Sequence, residues 1–426
     1  MKGKNDIINA YGFLFFVLED FMKNFDRAER LSKVSYGIRG PVMQEAQKMM
    51  ASGVDILRLN IGNPAVYGFR APKEVSDAFV KCVMDTQGYS DSKGLLYARE
   101  AILGYCKKKN IPCESVDDIY TGNGVSELII TTMQALLNDG DEILVPCPNY
   151  PLWTSAVSMS GGKPVHYICD ESSDWLPDIE DMRKKITPRT KGILVINPNN
   201  PTGALYPKEI LMKIADLARE HDLILFADEI YDRLVFDGAE HTALASLAPD
   251  VLTISYNGLS KSHLVCGFRS GWLCICGNKK GKEGFLDGIK LLTSTRLCSN
   301  VPAQAIIPAA LCDTLDSSNA LVSPGGRLYE QREAVCRGLG SIPGISFVKP
   351  KGALYIFPKI DCARYSMEND EGFAFELLRE KHILVTHGTG FNLTTPDHFR
   401  IAYLPEAPVL EEACRKIGEL LASREK

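Results

Sequence analysis

Four stretches in the middle of the chain are apolar at nearly every position rather than at every second one: "DEILVPC" (141–147), "KGILVIN" (191–197), "DLILFAD" (222–228) and "VLTISY" (251–256). A strand with one solvated face alternates, so an unbroken run predicts a strand covered on both faces. Between the second and third runs, "PKEILMKIADLAREH" changes period. Ile210, Leu211, Ile214, Leu217 and Ala218 fall on one stripe of a helix, and Pro207 suits its first turn. Strand, helix and strand at this spacing form a βαβ unit, which predicts an α/β fold with a largely parallel central sheet and helices on both faces. Ligands gather outside the carboxyl ends of such strands, so the loops after each run are where chemistry is expected.

Beyond about residue 310 the texture differs. "SPGGRLYEQREAV" reads as a charged helix and "ISFVKPKGALYIFPKI" as strands broken by Pro and Gly. The end is a helix with Leu410, Cys414, Ile417, Leu420 and Leu421 on one face. This predicts a smaller α+β domain, joined by the segment near residues 22 to 66. The expected division is an N-terminal arm at 1–21, a large domain at 67–310, and a small domain from 22–66 and 311–426.

Composition narrows the function without supplying it. The chain has 426 residues, 45% of them hydrophobic, enough for two cores, and a net charge of -5 with no Lys/Arg block, which argues against nucleic acid as a partner. Thirteen cysteines show no Cys-x-x-Cys pair and no zinc-type Cys/His spacing, so no metal site is expected and reduced thiols in a cytoplasm are. No apolar run reaches the length of a membrane span. At the head of the chain Lys2 and Lys4 precede "GFLFFVL", but Glu19 and Asp20 follow it without a small-residue cleavage site. An appended arm, or a start at Met22, fits better than a signal peptide.

The strand-end loops carry the candidate chemistry. Asp228 directly follows an apolar strand, where a carboxylate needs a cation, a salt-bridge partner or a helix to cap. Tyr231 lies three residues on, as a packed aromatic or a phenol on the same side. "INPNNPTG" closes the preceding strand as a rigid turn and brings Asn200 to that rim. "YTGNGVSELI" sets glycines and Ser126 at the start of a long apolar helix, whose free N–H groups attract anions. After the last run, "NGLSKSHLVCGFRSGW" places Lys261 and then Arg269. An amine, an anion cradle, a carboxylate and a phenol on one rim fit a ligand that is at once an aldehyde, a phosphate ester and a pyridine, namely pyridoxal phosphate.

From about residue 22 onward, "LNIGNP", "GNGVSELI", "PNYPLW", "INPNNPTG", "ADEIYD", "NGLSK" and "FRIAYLP" occur in order. Together they resemble the fold-type I, class I aminotransferases, and within them the glutamate–pyruvate (alanine) group. The resemblance implies a pyridoxal-phosphate enzyme that moves an amino group from alanine or glutamate to a 2-oxo acid by a two-stage exchange. The lysine matching Lys261 binds the cofactor aldehyde and then shuttles a proton, which requires a lowered pKa. The aspartate matching Asp228 keeps the pyridine nitrogen protonated, and the residues matching Asn200 and Tyr231 hydrogen-bond the ring oxygen. Tyr150 matches the aromatic stacked on the ring. Val125 and Ser126 amides with Arg269 match the phosphate holders, and Gly258 stands where many relatives have a serine, with Ser260 offered instead. Tyr89 resembles a tyrosine that reaches the neighbouring subunit's phosphate, which implies a homodimer with shared sites. Arg400 matches the arginine that grips the substrate carboxylate, and Gly62 the loop that closes over it. His263 and Leu264 depart from the common pattern. Another class I specificity, a pyridoxal-phosphate C–S lyase, and a binding protein on a silent aminotransferase fold are the competing readings. The intact set Lys261, Asp228, Tyr231, Asn200 and Arg400 disfavours the last.

Overall fold

The structure, a computed structural model, describes residues 25–34, 40–312, 315 and 318–425; the expected arm at 1–21 lies outside them. The four apolar runs become adjacent strands of an eight-stranded sheet made of β1 (Ile119–Asn123), β2 (Glu142–Cys147), β3 (Lys163–Asp170), β4 (Leu176–Pro177), β5 (Thr190–Ile196), β6 (Ile224–Asp228), β7 (Thr253–Gly258) and β8 (Ser270–Cys276). The spatial order is β1-β8-β7-β6-β5-β2-β3-β4. The neighbours from β7 through β3 pair in parallel, while β8 and β4 run antiparallel to theirs.

Unbroken apolarity has the expected cause. Alternate residues of one strand enter different cores: Leu194 and Ile196 pack with Leu128, Trp153 and Phe226, whereas Ile193 and Val195 pack with Leu211, Ile214 and Leu225. The helix between β5 and β6 spans Lys208–Glu220 and buries Leu211, Ile214, Ala215, Leu217 and Ala218. Pro207 caps it from outside its first turn, in an extended conformation that needs no N–H. Because β8 turns back between β1 and β7, the carboxyl ends of β1, β5, β6 and β7 share one edge.

A separate apolar core joins Val42 through Phe69 to Val322 through Leu421, with Tyr231, Leu234 and Phe236 beside them. Its helices include Arg327–Gly340 and Ala407–Ala422, the latter burying the whole expected stripe plus Ala413. A three-stranded antiparallel sheet, Tyr355–Ile356, Phe399–Ala402 and Thr386–His387, has the Phe399 strand at its centre and so carries Arg400.

Candidate active site

One cavity of about 840 Å³ opens at the shared strand edge. Lys261, Asp228, Tyr231, Asn200, Tyr150, Val125, Ser126, Ser260, Arg269, Gly62 and Arg400 all line it. Tyr89 does not; it is 83% exposed elsewhere on the same chain.

Each position follows from a strand end. Asp228 is the last residue of β6, where Phe226 two positions earlier already faces the Trp153 side of the sheet. Its Oδ2 accepts a hydrogen bond from the Trp153 indole at 2.8 Å, and the Ile230 N–H reaches Oδ1 at 3.4 Å. Burial outweighs these two bonds and lifts the carboxyl to about 6. A cationic group placed against it would bring that value back down, so the site is built to receive one.

Lys261 lies in the short helix Leu259–Ser262 immediately after β7, and its Nζ donates to the Gly62 carbonyl at 2.8 Å. Gly62 has no room for a side chain: a Cβ there would sit 2.1 Å from the Tyr355 hydroxyl. Tyr355 and Tyr231 share a hydrogen bond of 3.0 Å between their hydroxyls. Burial pushes the Tyr231 phenol well up. At Tyr355 the same burial is outweighed by the Lys261 and Arg400 charges, which leave that phenol below its ordinary value.

Arg400 is 3% exposed. Its Nη1 donates to Asn200 Oδ1 at 3.0 Å, its Nη2 donates to the Asn60 carbonyl, and its guanidinium lies over the rings of Tyr355 and Phe391 at 4.2 and 4.6 Å. Packing between aromatic faces holds the planar fork in one orientation, as bidentate capture of a carboxylate requires. Phe399 and Ile401 enter the core on either side of it.

At the end of β1 the chain turns through Gly124, φ 76°, into the helix Val125–Leu136. Arg269 folds against that turn, with Nη1 on the Cys266 carbonyl at 2.9 Å and Nη2 on the Asn123 carbonyl at 3.2 Å. Any Cβ at residue 124 would stand 2.1 Å from Arg269 Nη2, so glycine is what lets the guanidinium reach the helix start. First-turn N–H groups, a helix dipole and a guanidinium therefore converge where Ser126 and Ser260 also line the wall. This cradle suits a phosphate dianion, and the buried Asp228 suits a protonated ring nitrogen. The residues present fit pyridoxal phosphate on both counts.

Trp153, Tyr355 and Asn60 were not singled out by sequence reasoning. Trp153 stood in the quoted "PNYPLW", but nothing local ties an indole to a carboxylate 75 residues away. His263 and Leu264 do not line the cavity. His263 is buried, with Nε2 2.7 Å from the Ala310 carbonyl, and burial lowers it to about 4; Leu264 enters the core.

A sheet edge that gathers an amine, an anion cradle and two oppositely charged anchors has the chemistry to hold a phosphorylated aromatic group and a small carboxylate. The chain belongs to the class I and II aminotransferases, whose family model matches residues 54–417. It is 52% identical over 401 residues to the glutamate-pyruvate aminotransferase AlaA of Escherichia coli strain K12, covering 94% of this chain and 99% of that one. It is 51% identical over 400 residues to an alanine aminotransferase of Mycobacterium bovis, covering 94% and 93%. A solved aminotransferase from Escherichia coli superposes with a TM-score of 0.93 at 51% identity, over 95% of this chain and 100% of that one.

Proposed function

We propose that this aminotransferase exchanges the amino group between alanine or glutamate and the 2-oxo acids pyruvate and 2-oxoglutarate, with pyridoxal 5'-phosphate as cofactor. The observation that carries this reading is that the Lys261 amine shares one cavity with the Arg269 cradle and the Arg400 fork. The names of the relatives at about half identity support the substrate pair.

The cofactor, when bound, supplies a carbonyl for amine exchange and a ring that accepts the electron pair left on the substrate carbon. Val125, Ser126, Ser260 and Arg269 would hold its phosphate, Asp228 its ring nitrogen, Asn200 and Tyr231 its ring oxygen, and Tyr150 its face. Asp228, already hydrogen-bonded by Trp153, would favour the protonated form of that ring nitrogen. Arg400 fixes the substrate by its carboxylate. Lys261 Nζ then takes the substrate proton as a base and returns it as an acid. Tyr355, the more acidic phenol of the pair, lies within the influence of both cations.

We read the core around Arg327–Gly340 as a small domain, with residues 22–66 and 311–426, that packs against a large domain at 67–310. We further read the working unit as a homodimer in which Tyr89 completes the neighbour's phosphate site; its exposure in the single chain supports this. Thirteen free cysteines support a reducing, cytoplasmic setting. No helix among the described residues is long and apolar enough to cross a membrane.

The test is a screen of amino donors against pyruvate and 2-oxoglutarate, followed by absorbance of the bound cofactor. Alanine and glutamate should each convert it fully to the amine form without releasing ammonia. Ammonia release without that conversion would instead identify a lyase.

A further inference from the structure

Two buried phenols meet in the wall of the cavity. Tyr231 follows the end of β6, whereas Tyr355 belongs to the strand Tyr355–Ile356, which pairs antiparallel with the strand carrying Arg400. Their rings meet edge to face, with centroids 5.9 Å apart and planes at 82°, and the hydroxyls stand 3.0 Å apart. Tyr355 is engaged on its other sides as well. The Arg400 guanidinium lies over its ring at 4.2 Å, and its hydroxyl packs so closely on Gly62 that a Cβ there has no space. The Gly62 carbonyl in turn accepts from Lys261 Nζ. One side chain thus touches the carboxylate fork, the glycine that holds the amine, and the Tyr231 phenol.

Resting on the pyridoxal-phosphate reading of this site, we propose that Tyr355 is a positioning residue for the amino exchange: its hydroxyl directs the Tyr231 proton toward the cofactor's ring oxygen, and its ring holds the Arg400 fork for the substrate carboxylate. The direction of the hydroxyl bond follows from the neighbouring charges. Lys261 and Arg400 outweigh burial at Tyr355 and make it the stronger acid, while burial leaves Tyr231 the weaker one; Cys266 and Tyr150, the other titratable groups beside the pair, have smaller effects. Between two neutral phenols the stronger acid is the better donor. Tyr231 therefore accepts from Tyr355 and keeps its own proton for a third group, which the cavity places in front of it. Hydroxyls bonded in series polarise one another, so Tyr231 becomes the better donor to that group. Arg400, sandwiched between Tyr355 and Phe391, gains its fixed plane from the ring and not from the hydroxyl.

Two variants separate the hydroxyl from the ring: Tyr355→Phe removes the first, and Tyr355→Leu removes both, with Tyr355→Met in its place if the leucine variant does not fold. The cofactor-loaded proteins are titrated with pH by absorbance of the bound cofactor and assayed with alanine. A ring oxygen with a weakened hydrogen bond holds its negative charge less well, so the cofactor gives up its proton at higher pH. In Tyr355→Phe the midpoint should rise by about half a pH unit and kcat should fall, with KM for alanine within about twofold of the parent. Tyr231→Phe should raise the midpoint further, and the double variant should match Tyr231→Phe alone, because Tyr355 acts through Tyr231. In Tyr355→Leu the KM should also rise, by about tenfold. An unmoved midpoint in Tyr355→Phe, a double variant that exceeds Tyr231→Phe, or an unchanged KM in Tyr355→Leu would overturn the assignment. A parent with no titrating cofactor band would overturn the pyridoxal-phosphate reading beneath it, a failure visible before any variant is made.

Discussion

Asp228 and Glu229 are adjacent in the chain and both buried, yet they belong to two polar clusters on opposite faces of the sheet. Asp228 faces the cavity with the Trp153 indole behind it. Glu229 faces the other way: its Oε1 accepts from the Leu244 N–H at 2.8 Å and its Oε2 from the Ser255 hydroxyl at 3.2 Å. Beside it, the Tyr105 hydroxyl bonds Asp232 and accepts from Asn257 Nδ2 at 3.1 Å, while Lys109 lies 3.6 Å from Asp232. Both clusters are expensive to bury. They differ in what lies beside them: the Glu229 cluster is enclosed by protein, with the buried His241 ring 3.9 Å from Glu229 Oε1, and the Asp228 cluster lines the cavity.

The sharpest way to break this comparison is Asp228→Asn, which keeps the shape and removes the charge. It should lower kcat by about 10³-fold, the scale of losing one preorganised electrostatic partner, while the protein still binds cofactor. A loss below tenfold would place Asp228 with the enclosed cluster. Next in size is Glu229→Gln. Burial raises Glu229 from 4.5 to about 8, so the folded state binds the extra proton through that window. Its contribution to stability is therefore complete below about 4.5 and is lost as pH rises through about 8. The glutamine variant cannot ionise and should escape roughly 4 kcal/mol of that loss between pH 5 and 9 in urea unfolding, with kcat within about threefold of the parent. A large loss of kcat would assign Glu229 to the chemistry. The smallest effect belongs to Arg400→Lys, which retains charge but not the planar fork. KM for alanine should rise about 30-fold, or ~2 kcal/mol, with a smaller change in kcat.

This contrast also marks how far the sequence could be read. The sheet was legible because strands covered on both faces are apolar throughout, as β5 and β6 are, and the strand-end loops then located Asp228, Asn200 and Lys261. Spacing after the last run placed Arg269 there too, and motif order added Arg400, which no periodicity would connect to the rim. What remained hidden rests on long-range packing: Tyr355 against Gly62, Trp153 behind Asp228, and Cys106 beside Cys274 at a separation of 168 residues. The enclosed Glu229 cluster was hidden for the same reason, since a buried carboxylate satisfied by distant backbone and hydroxyl groups leaves no local pattern. Pro207 marks a smaller limit, because proline is tolerated both at a helix cap and in its first turn.

The amine that Lys261 presents to the cavity is the centre of the whole reading. The most direct measurement is borohydride reduction of the purified protein after incubation with pyridoxal phosphate, followed by mass mapping of its peptides. The expected result is a reduced pyridoxyl adduct on Lys261 alone, absent from Lys261→Ala. An adduct on another lysine, or no adduct in the parent, contradicts it.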